Sequence, residues 1–226
     1  VVQIAHSGFR ADPSMTQGHE VIAPTGDVFG RIRTMTAQEI TDMVGHYAYA
    51  AELVRRAGFD GVEIHGANGW QIQQFFSAAT NLRQDEWGGS LEKRMRFPLA
   101  IVDAIDAMRQ KHQRPDFIIG YRFSPEEPGA DGITMKETLA LVDALLAKPL
   151  QYLHISLWDF YKKVRRGAAP RFTRMQVVHD RINGRLPFSV RATFTPLTTC
   201  SKPIKQAGWK AFPLAKASCS IRSSSS

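Results

Sequence analysis

Short apolar, β-rich runs alternate along most of the chain with longer stretches whose apolar residues recur at helical spacing. Residues 1–6 (VVQIAH) predict a strand, followed by a polar loop with Gly, Pro and Asp that reaches about Arg33. Thr36 and Glu39 stand at capping-box spacing, where each side chain satisfies a free backbone donor at a helix start. Ile40, Met43, Val44, Tyr47 and Val54 then form an apolar stripe, and Gly58 stands where a helix end favours a left-handed residue. The cycle repeats. Residues 61–65 (GVEIH) predict a strand, and Ser90 a cap for a helix carrying Phe97, Ile101, Val102, Ile105 and Met108. Residues 117–123 (FIIGYRF) predict the next strand, before a second capping box at Thr134 and Glu137 and a stripe of Leu139, Val142, Leu145 and Leu146. Residues 152–156 (YLHIS) predict a strand, and Thr173 a cap for a helix over 174–183.

Strands alternating with helices predict an α/β fold, a parallel sheet covered by helices. A (β/α)8 barrel and a doubly wound open sheet compete. His65, Arg122 and Ser156 each fall at the C-terminal end of a strand. Several strand ends contributing polar groups is the pattern of a barrel rim, whereas an open sheet binds at one switch point, often after a glycine fingerprint. No G-x-G-x-x-G follows any strand, so a (β/α)8 TIM barrel is the expected fold. The pattern yields four strands and a weaker fifth, against the eight of a full barrel, so the barrel is expected to be incomplete.

Composition narrows the class. With 43% hydrophobic and 22% charged residues, the chain reads as an ordinary folded domain rather than a disordered or membrane-spanning one. It opens with Val1 inside an apolar run, so the true start is expected upstream; without a signal-like segment, the expected location is cytoplasmic. The net charge of +8 is uneven, because Arg191, Lys202, Lys205, Lys210, Lys216 and Arg222 lie in a final stretch without a single acid. The body is close to balance, which argues against a nucleic-acid surface. The run Lys162, Lys163, Arg165 and Arg166 reads as a solvated loop. Both cysteines, Cys200 and Cys219, lie in the same final stretch, so the body has neither a disulfide framework nor a thiolate cluster.

Several residues could carry chemistry. His65 and Asn68 can donate to one oxygen atom and stabilise charge that develops on it; a structural histidine near a strand end is the competing reading. Arg122 ends an apolar strand and must find acceptors, since burial unpaired is costly. Glu63 or Glu126 could pair with it, or it could face an electron-rich ring. The amide of Gln3 suits the edge of a heterocycle, or could be structural. His6 and His154 lack a second ligand at metal spacing, so no metal is expected. Asp85, Trp87, Gly88, Gly89 and Ser90 read as a structural turn.

The run 58–105 (GFDGVEIHGANGWQIQQFFSAATNLRQDEWGGSLEKRMRFPLAIVDAI) closely resembles the central signature of the old yellow enzyme and NADH:flavin oxidoreductase family. VVQIAHSG and FIIGYRFSPEEPGADG resemble flanking family segments. The resemblance implies a TIM barrel holding FMN non-covalently, reduced by NAD(P)H and passing hydride to an activated alkene, quinone or nitro acceptor. It implies that Gln3 and Arg122 contact the flavin ring and that His65 and Asn68 hold the acceptor's oxygen. Many members place a tyrosine two residues after this Asn, as proton donor; Trp70 stands there instead, and an indole N–H is not a useful acid. A small molecule is therefore the expected partner, with neither nucleic acid nor membrane involved; the sequence does not set the oligomeric state.

The resemblance divides the chain into 1–187, a partial barrel beginning at the family's third strand, and 188–226, a tail expected to be poorly structured. With suitable codons, a one-nucleotide shift across 188–225 restores GAGN, an amphipathic helix and GKG in family order. The tail is therefore expected to be an out-of-frame translation, with the last two barrel strands disrupted and the glycine-lined phosphate cradle missing. An inactive remnant that no longer binds FMN is the alternative to an active reductase.

Overall fold

In the computed structural model, which describes residues 1–193, the first apolar run forms a three-residue strand, β1 (Val2–Ile4). The loop that follows contains two 3-10 turns and two short strands, β2 (Val21–Ala23) and β3 (Ile32–Thr34), which pair with each other in parallel. Three residues are too few to show a period, so this stretch reads only as a polar loop in the sequence.

Helix α1 (Ala37–Arg56) begins at the expected capping box, with Thr36 and Glu39 each bonding the other's backbone N–H. Gly58, at φ +83°, takes the left-handed conformation after its end. Strand β4 (Gly61–Gly66) leads into α2 (Gln71–Phe76), then α3 (Leu91–Lys111), capped by Ser90. Strand β5 (Ile118–Phe123) precedes α4 (Met135–Leu146), which starts at the Thr134–Glu137 box. Strand β6 (Tyr152–Asp159) precedes α5 (Arg174–Ile182), capped by Thr173 and closed by left-handed Asn183.

The stretch assigned to the irregular tail begins differently. Phe188–Thr193 form a seventh strand, β7, parallel to β6, so barrel pairing continues past 187. The cause is local: in FSVRAT, Phe188 and Val190 alternate with polar residues and pack against the core. The remainder of that expectation, together with Cys200 and Cys219, lies outside the described residues.

The main sheet has the order β1-β4-β5-β6-β7, every pair parallel. The order never reverses, so right-handed crossovers place successive helices on the same face and create no switch point. The contacts agree: α1 packs on α3, α3 on α4, and α4 on α5. This is one wall of a barrel.

The helix-facing side of the strands carries Val62, Ile64, Ile119, Tyr121, Phe123, Leu153 and Ile155, all in one buried cluster with residues from the helices. Phe97 of α3 is a hub of that cluster. Its ring stands 4.1 Å from Phe75 and meets Tyr47 and Trp87 edge-on.

Helix α2 (QIQQFF) is buried at every position, including its three glutamines. Gln74 donates to Ser7 and Gly69 carbonyls and accepts from Phe9 N–H, while Gln73 donates to Glu127. Hydrogen bonding makes burial of the Gln73 and Gln74 amides tolerable. It also ties the loop after β1 to the loop after β4. Gly8, at φ +57°, lies so close that an added Cβ would stand 2.0 Å from Gln74 Oε1.

Candidate active site

The opposite side of the strands is polar. Strand register aligns Gln3 with Glu63, Glu63 with Gly120 and Gly120 with Tyr152, and one layer higher aligns His65 with Arg122 and Arg122 with His154. Since side chains alternate along each strand, these residues share a face.

In the lower layer Glu63 accepts from Gln3 Nε2 at 2.6 Å and Tyr152 OH at 2.9 Å, and lies 2.8 Å from His154 Nδ1. Burial alone would raise its pKa, but the bonds from His154, Gln3 and Tyr152 prevail and hold it at about 2. Tyr152 reaches across β5 because Gly120 lies beneath its ring; a Cβ there would stand 2.1 Å from it. Burial, reinforced by Glu63, raises the Tyr152 pKa, so the phenol keeps its proton. A carboxylate only accepts, so Gln3 turns its NH2 toward Glu63 and its carbonyl oxygen away.

In the upper layer His65 is 5% exposed and Arg122 4%. The Nδ1 of His65 accepts from Ala67 N–H at 3.3 Å, which leaves the proton of the neutral ring on Nε2. Burial, then the nearby Arg122 charge, lowers its pKa to about 4. His65 is therefore a neutral hydrogen-bond donor at neutral pH.

Arg122 does not form the carboxylate pairing, one of the two readings open for it. It bonds neither Glu63 nor Glu126; Glu63 is occupied by the lower-layer donors, and Glu126 is held by Arg174 and by the N–H groups of Arg165 and Arg166. Lys162, Lys163 and Arg165 are exposed, as expected of a solvated loop, while the Arg166 guanidinium donates to the Ala130 and Gly132 carbonyls. Arg122 Nη2 donates instead to Ser156 Oγ at 2.8 Å, and its buried Nε has no hydrogen-bond partner among the described residues. Burial pulls its pKa below the usual value while Glu63 opposes this.

Above these lies the turn after β4. Asn68 and Gly69 both adopt positive φ, +58° and +72°. Asn tolerates this region better than most residues, and the pair reverses the chain sharply. Asn68 N–H donates to Ser124 Oγ at 2.9 Å, and Asn68 Oδ1 accepts from Ser156 Oγ at 2.9 Å. Trp70, the N-cap of α2, sets its ring 5.9 Å from that of His65. His65, Asn68, Trp70 and Arg122 therefore meet in one corner, with Gln3 joined to it through Glu63. No cluster of three or more His, Cys, Asp or Glu suited to a metal occurs among the described residues.

A model of the NADH:flavin oxidoreductase / NADH oxidase family matches residues 1–190. This chain belongs to that family. It is 48% identical over 191 residues to a probable NADH-dependent flavin oxidoreductase of Bacillus subtilis (strain 168), covering 83% of this chain and 51% of that protein. It is 43% identical over 167 residues to the NADH:acrylate oxidoreductase of Vibrio harveyi, covering 72% of this chain and 17% of that protein. Among solved structures, morphinone reductase matches with a TM-score of 0.64 at 26% identity, covering 83% of this chain and 54% of that one. An old yellow enzyme homologue from Zymomonas mobilis matches with a TM-score of 0.69 at 21% identity, covering 85% and 56%. The chain thus spans about half the length of the Bacillus relative, and its fold is part of a (β/α)8 barrel of the old yellow enzyme type.

The sequence offers Glu63 only as a partner for Arg122 and Ser156 only as a polar strand end; the bonds of Glu63 to Tyr152 and His154, and of Ser124 and Ser156 to Asn68, are not read from it. The available signal was period-two alternation: Glu63 with His65, and Tyr152, His154 and Ser156, are the polar members of otherwise apolar strands.

Proposed function

We propose that this chain carries the flavin-ring and acceptor-binding corner of an FMN-dependent oxidoreductase. Bound FMN would supply hydride transfer, accepting it from NADH and passing it to an activated alkene, quinone or nitro compound. The names of the Bacillus and Vibrio relatives both contain NADH, which supports that donor over NADPH.

The observation that carries this reading is the buried guanidinium of Arg122, which among the described residues bonds no carboxylate and whose Nε lacks a partner. A buried guanidinium with an unmet donor is costly even with the Glu63 charge nearby. An electron-rich ring laid over it would supply the missing acceptor and gain stabilisation when reduced. Gln3, with its carbonyl oxygen turned from Glu63, offers an acceptor to a ring N–H. These groups fit an isoalloxazine edge. His65 Nε2–H and Asn68 would hold the acceptor's oxygen and stabilise the negative charge that grows on it. Trp70 contributes an apolar wall but no usable acid, so a proton for an alkene carbon must come from water or another group. Quinones and nitro compounds depend less on that proton.

The test is anaerobic absorption spectroscopy of the purified chain mixed with FMN. With the phosphate cradle out of frame, the ring contacts alone should give a weak but saturable change in the flavin spectrum, with bleaching by NADH and return of the oxidised spectrum on adding a quinone or nitroarene. A flavin spectrum identical to free FMN at every protein concentration would overturn the reading.

The same reading treats the sequence beyond the matched region as translated in a shifted frame from near residue 187. The coding DNA decides this directly, since codons unable to yield GAGN and GKG in the neighbouring frame would exclude it.

A further inference from the structure

We infer that Ser156 is a positioning residue whose hydroxyl, backed by Arg122, fixes the carboxamide of Asn68 with its NH2 group toward the acceptor. The proposal deepens the function above and rests on it for the identity of the acceptor. The orientation itself is a property of the chain.

The argument is one of hydrogen-bond polarity. Arg122 has donors only, so the 2.8 Å contact from its Nη2 makes Ser156 Oγ the acceptor. The serine hydroxyl has one proton to give, and the acceptor 2.9 Å away is Asn68 Oδ1. The amide oxygen is thereby occupied and the NH2 faces the other way. Were the amide reversed, the hydroxyl proton would lose this acceptor.

The rest of Asn68 is held independently. Its N–H is anchored to Ser124 Oγ and its backbone sits at φ +58°. The two side-chain torsions are not fixed by the backbone, and the bond from Ser156 to Oδ1 orients the amide. His65 is oriented by the same logic, since Ala67 N–H occupies Nδ1 and leaves Nε2–H to donate. Two donors then face one oxygen. With the amide reversed, its oxygen would oppose the acceptor's oxygen and repel the charge growing there. Arg122 stands at the head of this relay, so one line of hydrogen bonds links the flavin-facing cation with the acceptor-facing amide.

Removing one preorganised donor from a developing oxyanion costs about 10²–10³ in rate. Loss of its orientation alone should cost less, about tenfold in affinity for an oxyanion probe.

The experiment has two arms on the full chain. In the unloaded, 15N-labelled protein, the Asn68 NH2 signal is identified by its disappearance in Asn68→Ala. It should shift in Ser156→Ala and stay near its native position in Ser156→Thr, which keeps the hydroxyl. In FMN-loaded protein, 4-nitrophenolate is titrated by absorbance. Ser156→Ala should weaken it about tenfold, Ser156→Thr by less than about twofold, and Ser156→Ala should add nothing in the Asn68→Ala background. An unmoved Asn68 signal, failure of Thr to rescue, or additive losses would each overturn the inference. Should Ser156→Ala fail to fold, Ser156→Cys, with a weaker donor of similar size, takes its place and is held to the same results. If native protein binds no flavin, the functional reading fails while the first arm still decides the orientation of Asn68.

Discussion

The two faces of β4, β5 and β6 come from the same residues in alternation, yet they do different work. The helix-facing side is Val62, Ile64, Ile119, Tyr121, Phe123, Leu153 and Ile155, without a charged group. The barrel-facing side is Glu63, His65, Arg122, Tyr152, His154 and Ser156, each joined to another by a directed hydrogen bond or, for His65, to the backbone. Burial of apolar area holds the first side and is tolerant of direction. The second side spends stability on desolvating charge and gains direction in return. A change on the helix side should therefore appear first in folding, and a change on the barrel side first in binding.

The largest expected effect is on the helix side. Phe97→Ala removes the ring shared by Phe75, Tyr47 and Trp87 and should cost about 3–5 kcal/mol in urea unfolding. A loss under about 1 kcal/mol would mean that the cluster repacks freely and that the contrast is false.

Gly120→Ala probes the boundary. The new Cβ would collide with the Tyr152 ring, so the expected cost is about 1–3 kcal/mol, together with loss of the Tyr152–Glu63 bond. Tyr152→Ala in the same background should relieve the collision. Equal destabilisation by Gly120→Ala with and without Tyr152 would contradict the packing described.

Acid should act on the barrel side. An imidazole of ordinary pKa, 6.5, is protonated in the unfolded chain well before folded His65, which is held at about 4. The unfolded chain therefore binds more protons between these values, and stability falls as pH falls from 6.5 to 4. Glu63 acts with the same sign lower down. Its stabilisation is complete above the ordinary 4.5 and is lost as pH falls toward about 2. Burial gives His6 a lowered pKa too, so the informative quantity is a difference between proteins. His65→Gln should flatten the pH dependence of the urea midpoint between 6.5 and 4 and leave that below 4 intact; an unchanged slope would refute the assignment.

Much of this architecture is visible locally in the sequence. The boxes at Thr36–Glu39 and Thr134–Glu137, the caps at Ser90 and Thr173 and the left-handed Gly58 are decided within a few residues, and all form. What escaped depends on distant partners. Helix α2 is concealed because three glutamines obscure its burial until Ser7, Phe9 and Glu127 are placed around it. Ser156 lies 88 residues from Asn68 and 34 from Arg122, and Glu63 lies 91 from His154, so only strand register brings them together. For Arg122 the sequence leaves a carboxylate partner and an electron-rich ring both open, and register supplies the hydroxyl of Ser156. Residues 188–193 fall in the tail because the family resemblance ends at 187, yet Phe188 and Val190 pack on the core and the segment pairs with β6.

The smallest expected effect on folding is at Trp70, a partly exposed N-cap without a side-chain capping bond. Trp70→Tyr should change stability by less than about 0.5 kcal/mol. It should raise the rate of reduction of an enone relative to a quinone, because a phenol can supply the proton that indole cannot. An unchanged enone-to-quinone ratio would mean that protonation comes from elsewhere.

The central claim is that the buried guanidinium of Arg122 serves a flavin ring and not the fold. Lumiflavin, which has the ring without the phosphate chain, isolates that contact, and its fluorescence can be titrated against native protein and Arg122→Met. Native protein should quench it saturably. The variant should bind at least about tenfold more weakly while unfolding within about 1 kcal/mol of native, since no carboxylate is left unpaired. Equal binding by both proteins, or a variant that unfolds while native protein shows no affinity for lumiflavin, would contradict the account.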